Sequence, residues 1–122
     1  MNKMEAKSLN SPDEIRTFDK GKVELVSING AKVGRAILQP GWRWSESVKP
    51  LVKTNSCEAP HFQYHVSGTI RIKMDDGTER DFKAGDVSLL GEGHDAWVIG
   101  DEPVVVVDFQ GMLDYAKGSV KK

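Results

Sequence analysis

The chain has 122 residues, a formal net charge of −1, 39% hydrophobic residues and 29% charged residues. This length fits one domain with one core, and the composition is too apolar for a disordered chain. A charge so close to zero gives no support for nucleic acid or an anionic membrane as a partner. The sequence therefore predicts a small globular domain with neither kind of partner.

The cysteine count and the apolar runs bear on location. No apolar run approaches the roughly 20 residues of a membrane span, and the first residues, MNKMEAKSLNSPDE, lack the apolar stretch of a secretory signal. The single cysteine, Cys57, has no partner for an internal disulfide. Together these features predict a cytoplasmic protein in which the thiol is free to act as a ligand, a nucleophile or a small core residue.

We predict three segments: a flexible N-terminal segment over residues 1–14, a single barrel over 15–112 and a C-terminal tail over 113–122. The chain ends in the basic sequence KGSVKK, which is typical of a solvated end. Short helical turns are predicted only at DEIRTF (13–18) and at MLDYAK (112–117).

The body of the chain has the pattern of short strands separated by turns. KVELVSI (22–28) alternates, and Asn29-Gly30 supplies a hairpin turn because both residue types accept positive φ. AKVGRAIL (31–38) returns as its partner, and WRWSESV (42–48) alternates with Trp42 and Trp44 on one side.

The second half continues in the same way. The remaining predicted strands are TIRIKM (69–74), TERDF (78–82), VSLL (87–90), AWVI (96–99) and VVVVDF (104–109). Residues 91–95, GEGHD, are predicted to form a loop, and the β-branched run of VVVVDF is typical of a strand buried on both faces. Many short strands joined by Gly-rich turns predict an all-β sandwich or barrel.

The stretch NSCEAPHFQYHVSG (55–68) places Cys57, His61 and His65 four residues apart. These side-chain types bind transition metals. The spacing fits one face of a helix, but the flanking Pro60 and Gly68 and the β-forming residues between them favour a strand. A strand also keeps positions of equal parity on one face. Four side chains can then point the same way if no bulge interrupts the strand at Pro60: Cys57, His61, Gln63 and His65.

Two segments of the sequence resemble the motifs of the cupin superfamily, G-x5-H-x-H-x3,4-E-x6-G and G-x5-P-x-G-x2-H-x3-N. Gly68 in HVSG matches the end of the first motif, and Gly85-Asp86 in AGDVSLLGEGHDAW matches the start of the second. The resemblance covers about Val33 to Phe109. It extends to a cupin subgroup that carries PGWRWSE and GHDAWV. It implies a double-stranded β-helix, the jelly-roll barrel, and dimers are common among such cupins.

The residues at the metal positions of these motifs are unusual. His61 stands at the usual Glu position, and Cys57 and Asn55 stand at the two His positions. In the second motif Ala96 takes the His position, and His94 lies two residues earlier. The standard set of three His and one Glu is therefore absent. Because the two motifs of a cupin face each other across the barrel mouth, the resemblance allows a rearranged set of Cys57, His61 and His94.

We predict that this set converges on one divalent transition metal, with zinc, iron or copper all suited to thiolate and imidazole ligands. His61 is also the candidate catalytic residue. Five further residues are predicted to line a ligand pocket: Trp42, Trp44, Phe62, Gln63 and His65. Each has an ordinary alternative: a core thiol for Cys57, a buried structural histidine for His61 or His65, a surface loop residue for His94, and core packing for the aromatic residues.

Three functions remain open at this point. The first is a metal-dependent enzyme acting on a small molecule, the second a metal-free cupin that binds or senses a small molecule, and the third a metal-free enzyme with His61 as general base. We also predict a two-fold homodimer, because Trp97 falls on the opposite strand face from His94 and Ala96 and because the VVVV run exposes apolar surface.

Overall fold

The structure of the protein is a computed structural model. It describes residues 4–52 and 61–109. Within these ranges the chain forms nine strands and two short helices. In chain order these are β1 (Glu14–Phe18), β2 (Gly21–Ile28), β3 (Ala31–Leu38), α1 (Trp44–Ser47), α2 (Lys49–Val52), β4 (His61–Ser67), β5 (Thr69–Met74), β6 (Glu79–Lys83), β7 (Val87–Leu90), β8 (His94–Ile99) and β9 (Val104–Asp108).

The strands form two antiparallel sheets. The larger has six strands in the order β1-β2-β3-β9-β4-β7, and the smaller has three in the order β6-β5-β8. β9, near the end of the chain, lies between β3 and β4 in the larger sheet. The buried apolar side chains of both sheets form one cluster, so the core lies between the sheets and the predicted all-β architecture is confirmed.

Two of the predicted elements are wrong. Residues 13–18, predicted as a helical turn, contain strand β1, because every residue from Glu14 to Phe18 pairs with β2. The predicted strand WRWSESV contains helix α1 instead. The carboxylate of Asp95 accepts a hydrogen bond from the backbone N–H of Ser45 at 3.0 Å, and this satisfies one of the free N–H groups at the helix start. The helical turn predicted at 112–117 lies outside the described residues.

Two further features differ from the prediction: the start of β8 and the burial of β9. The loop predicted over 91–95 is shorter, because β8 already begins at His94. VVVVDF is fully buried on one face only: Val104 and Val106 are 1% and 2% exposed, whereas Val105 and Val107 are half-buried. The second face of β9 is therefore part of the outer surface of the sheet.

The predicted turn glycines are confirmed. Asn29 and Gly30 have φ of 49° and 85° between β2 and β3, and Gly68 and Gly85 have φ of 76° and 94°. Gly68 has a second reason to be glycine, since a Cβ atom there would lie 2.5 Å from the carbonyl oxygen of Pro103. At Gly85 the space around such a Cβ atom is open.

None of the helices in the described ranges is long and apolar enough to cross a membrane.

The first strand begins at Glu14, and residues before it contact the sheet: Arg35 of β3 donates hydrogen bonds to the carbonyl of Leu9 and to the side chain of Asn10, both at 3.1 Å. The cytoplasmic location and the C-terminal tail stay predictions.

Candidate functional site

A cavity of about 40 Å³ lies between the two sheets. A cavity needs roughly 10–15 Å³ to hold one water molecule, so this one has room for about three. Most of the lining is apolar, and the polar residues are His61, Gln63 and His94. The complete lining is Ala36, Leu38, Trp42, Trp44, His61, Gln63, Ile70, Ile72, Leu90, His94, Ala96 and Val106.

His61 is the first residue of β4 and is 4% exposed. Its Nδ1 atom is in hydrogen-bonding contact with a carboxylate oxygen of Asp108 on the adjacent strand β9. The same oxygen accepts a hydrogen bond from the side-chain amide of Gln63 at 3.0 Å. Because a carboxylate accepts, the proton of a neutral His61 lies on Nδ1 and its lone pair on Nε2.

His94 is the first residue of β8 and is 3% exposed. Its Nδ1 atom donates to the backbone carbonyl of Gly91 at 3.0 Å, since a carbonyl can only accept. The lone pair of a neutral His94 is therefore also on Nε2. The rings of His61 and His94 meet edge to face, with centroids 5.4 Å apart.

This arrangement fits two ligands of one metal ion. Metal-binding histidines almost always donate the other ring N–H to a carboxylate or a carbonyl, which fixes the ring and its tautomer. Two imidazoles bound through Nε2 at about 2.0–2.1 Å to a tetrahedral ion would have centroids about 5 Å apart, close to the observed 5.4 Å. Asp108 and the Gly91 carbonyl have the positions of such supporting groups.

The third residue of the predicted set, Cys57, lies outside the described residues. Across residues 4–52 and 61–109, no group of three His, Cys, Asp or Glu side chains is placed to hold one ion. The described part of the site thus contains two of the three residues in the predicted set, His61 and His94.

His65 faces inward from β4 like His61 but does not line the cavity, contrary to the prediction that it touches the ligand pocket. It is 1% exposed, and its Nε2 atom lies 2.8 Å from the hydroxyl of Ser88 on β7. Its ring stacks on Phe82, with centroids 5.3 Å apart. Burial lowers the pKa of His65, and the charge of Asp86 partly opposes this.

Two of the three aromatic residues predicted to line the pocket do line the cavity, and the third does not. Trp42 and Trp44 line the cavity and are each 2% exposed. Phe62 does not line it: its side chain is 46% exposed, because neighbouring residues of a strand point to opposite faces and His61 and Gln63 point inward. The prediction that Phe62 lines the same pocket is therefore wrong.

Sequence reasoning missed Asp108, whose side chain is 0% exposed. A buried carboxylate is costly unless it is paired and hydrogen-bonded. An aspartate at the end of the apolar run VVVV was therefore a signal that a partner lies nearby. The Gly91 carbonyl carries no sequence signal, since any residue supplies one.

Trp97, predicted to expose an apolar surface, is partly covered. The guanidinium of Arg43 covers the ring of Trp97 at 4.1 Å from its centroid, and Trp97 is half-buried. The large exposed apolar side chains of the sheets instead include a set on β4 and β7, between 45% and 74% exposed. We call this set the outer face: Phe62, Tyr64, Val66, Val87 and Leu89.

Comparisons with known proteins give matches by structure only. No family model matches the sequence, and a search of curated proteins gives no significant match. A protein of unknown function (DUF1255) from Acinetobacter sp. ADP1 is 17% identical with a TM-score of 0.55, over 84% of this chain and 99% of that one. A DUF1255 protein from Acidithiobacillus ferrooxidans is 18% identical with a TM-score of 0.57, over 79% and 85% of the two chains.

Bacillus subtilis oxalate decarboxylase, described with Mn(II) centres, is also similar to this chain. It is 26% identical with a TM-score of 0.51, over 76% of this chain but only 26% of that one, so this chain spans about a quarter of its length. Oxalate decarboxylase is a cupin. From the two antiparallel sheets and these structural neighbours, we conclude that the chain has a cupin-like, all-β jelly-roll fold.

Proposed function

We propose that the protein is a metal-dependent enzyme acting on a small molecule, with His61, His94 and Cys57 as the metal ligands. The observation that carries the proposal is the pair of buried imidazoles on the cavity wall, each with Nδ1 bonded to an acceptor. The Mn(II) centres of the oxalate decarboxylase that this chain resembles support metal binding by a barrel of this kind.

The ligand atoms of the proposed set also indicate which metals the site would favour. Manganese prefers carboxylate, carbonyl and water ligands, whereas thiolate and imidazole favour zinc, iron or copper. The proposed set therefore points to one of these three metals and away from manganese. Three protein ligands leave room for a water molecule or a substrate.

The residues of the chain have separate roles in this proposal. Asp108 accepts the Nδ1 proton of His61 and so holds the ring with Nε2 as the donor atom, and Gln63 fixes the carboxylate by its own hydrogen bond. The apolar walls lower the local dielectric, which strengthens polar interactions inside the cavity. The bound metal would supply Lewis-acid polarisation of a ligand oxygen and lower the pKa of a bound water.

Cobalt(II) titration of chelator-treated protein tests the proposal, because thiolate ligation adds a charge-transfer band to the absorption spectrum. We expect one cobalt ion per chain in the wild type, loss of tight binding in His94→Ala, and loss of the band in Cys57→Ser. Absence of saturable binding, or equal affinity in His94→Ala, would contradict the proposed site. Elemental analysis of the purified protein would identify the resident metal.

A metal-free protein that binds or senses a small molecule is the second candidate. It is favoured by the observation that, in the part of the chain that the structure describes, only two cavity side chains are potential metal ligands. Ligand binding that is unchanged by chelator treatment, in a protein that takes up no metal, would support this alternative. The same result combined with catalysis would support His61 as a metal-free general base.

We also propose that the two-fold homodimer forms through the outer face rather than through Trp97. Phe62 lies opposite Leu89, and Tyr64 lies opposite Val87, so the outer face is continuous across β4 and β7. Among the described strands, β7 is the last of its sheet, and pairing of this edge with a second copy would make the contact self-complementary.

Light scattering at micromolar concentration tests this contact. We expect a dimer mass for the wild type and a monomer mass for Leu89→Glu, which would bury a charge in the contact. Thr78→Glu adds the same charge at an exposed turn and is the control that should remain dimeric. A monomeric wild type, or a dimeric Leu89→Glu protein, would contradict the proposal.

A further inference from the structure

The indole N–H of Trp42 is a buried donor without an acceptor. Within the described residues, two buried side-chain polar atoms have no hydrogen-bond partner, Trp42 Nε1 and Ser47 Oγ. Trp42 lines the cavity, and Ser47 does not. A buried donor left unsatisfied costs free energy, and a buried indole N–H usually has a partner.

The position of Trp42 is set by its backbone. Its N–H donates to the carbonyl of Gln39 at 3.0 Å, and its carbonyl accepts from the N–H of Val98 at 3.1 Å. Its ring lies against Phe18, with centroids 6.4 Å apart. The side chain is 2% exposed, so the ring has no direct route to solvent, and a molecule in the cavity that Trp42 lines can supply an acceptor for its N–H.

The charges of the described lining disfavour most organic ions. The described lining contains no lysine or arginine, so an anion would find no counter-charge on these walls. The buried carboxylate of Asp108 behind His61 adds negative potential. A simple ammonium or amidinium ion, for its part, brings N–H donors but no acceptor for the indole.

We propose that the cavity binds a small uncharged molecule that carries an acceptor oxygen, such as a ketone, an aldehyde or an amide, and that Trp42 Nε1–H donates a hydrogen bond to this oxygen. The part of the ligand inside the cavity has about three or four non-hydrogen atoms, given a volume of about 40 Å³. This inference names the ligand class of the site proposed above and rests on that cavity being the ligand site, but it does not depend on a bound metal.

Four probes of similar size and shape separate the chemistry: acetone, acetamide, acetate and acetamidinium. The chain has three tryptophans, whose indole N–H resonances in a ¹⁵N-correlated NMR spectrum can be assigned with single Trp→Phe variants. In chelator-treated protein, we expect acetone and acetamide to shift the Trp42 indole proton downfield in a saturable way. Acetamidinium, which has no acceptor, and acetate should leave it unchanged, and the Trp97 resonance reports any general solvent effect.

Trp42→Phe tests the hydrogen bond by affinity. It should weaken acetone binding about fivefold, the effect expected for one neutral hydrogen bond, while Trp97→Phe, outside the described lining, should change it less than twofold. The titration of the wild-type protein uses variants only to assign the indole resonances. It therefore remains a valid test even if Trp42→Phe folds too poorly for an affinity measurement. A Trp42 resonance that does not respond to acetone or acetamide, or that responds equally to acetamidinium, overturns the inference.

Repeating the titrations with cobalt bound separates this inference from the proposed metal site. If the protein binds no metal but acetone still shifts Trp42, the metal proposal fails and the ligand class stands. If cobalt binds at His61 and His94 and Trp42 stays silent to acetone, the ligand class fails and the metal site stands. If acetate binds only when cobalt is present, the anion is bound to the metal. The evidence for a hydrogen bond from Trp42 then comes from acetone and acetamide alone.

Discussion

His61 and His65 point inward from the same face of β4, yet their surroundings differ. His61 lies on the cavity wall beside the buried carboxylate of Asp108 and the ring of His94. His65 is enclosed by the Ser88 hydroxyl and the Phe82 ring, and burial lowers its pKa. Two identical side chains four residues apart thus have different surroundings, which suit His61 to the ligand role proposed above and His65 to a buried structural role. The partner supplied by the adjacent strand decides the role.

The largest expected effect concerns the end of β4 beyond His65, where Gly68 lies against the backbone of residues 103–104. A Cβ atom at Gly68 would lie 2.5 Å from the Pro103 oxygen and 2.8 Å from Val104 Cα. Left-handed strain costs about 1–2 kcal/mol, and forced repacking adds a similar amount. Gly68→Ala should therefore lower the free energy of unfolding by about 3 kcal/mol or more, as measured by urea denaturation.

Gly85→Ala is the matched control for this prediction. Gly85 also has positive φ, but the space around its Cβ position is open, so only the strain term applies and the loss should be about 1–2 kcal/mol. Equal losses in the two variants would show that the close approach of Pro103 does not hold this end of the barrel together.

The next effect concerns the support of His61. Asp108→Asn keeps the shape of the side chain but removes the charge that holds the His61 Nδ1 proton. Changes to such supporting groups lower metal affinity by about 10- to 100-fold, and we expect this loss in a cobalt titration. Ser88→Ala removes the corresponding partner of His65 and should leave metal affinity within about threefold. Similar losses in both variants would contradict the division of roles along β4.

The smallest effect is a pH dependence at His65. Its pKa is lowered from 6.5 in the folded protein, so the unfolded chain binds the proton more readily. The stabilisation is complete above about pH 6.5 and is lost as the pH falls below that value. We expect the free energy of unfolding to decrease from pH 7 to pH 5 more steeply in the wild type than in His65→Gln. Parallel curves would show that the buried His65 does not contribute.

The sequence predicted the parts of this picture that depend on local rules. The hairpin at Asn29-Gly30 and the turn at Gly68 follow from the positive φ that such turns need. Strand alternation put His61, Gln63 and His65 on one face. The same alternation places Phe62 on the opposite face, away from the cavity.

Other features depend on residues distant in sequence. The alternation of Trp42 and Trp44 suits a strand, and the contact between Ser45 and Asp95, 50 positions apart, supports a helix there instead. Strand alternation predicts which face of β4 carries His65, but it does not predict that the side chain is fully buried. Ser88 and Phe82, on other strands, determine that burial. The pairing of His61 with Asp108 depends on the register of β4 and β9, which brings Gln63 opposite Asp108. No local pattern specifies that register.

The most direct test of the account compares metal binding by His61→Ala and His65→Ala. Both variants remove one buried imidazole from the same face of the same strand. In cobalt titrations of chelator-treated protein, we expect His61→Ala to lose at least about 100-fold in affinity, since a ligand is removed, and His65→Ala to bind one ion with wild-type affinity. Equal binding by His61→Ala and the wild type, or an equal loss in both variants, would contradict the assignment of His61 to the metal site.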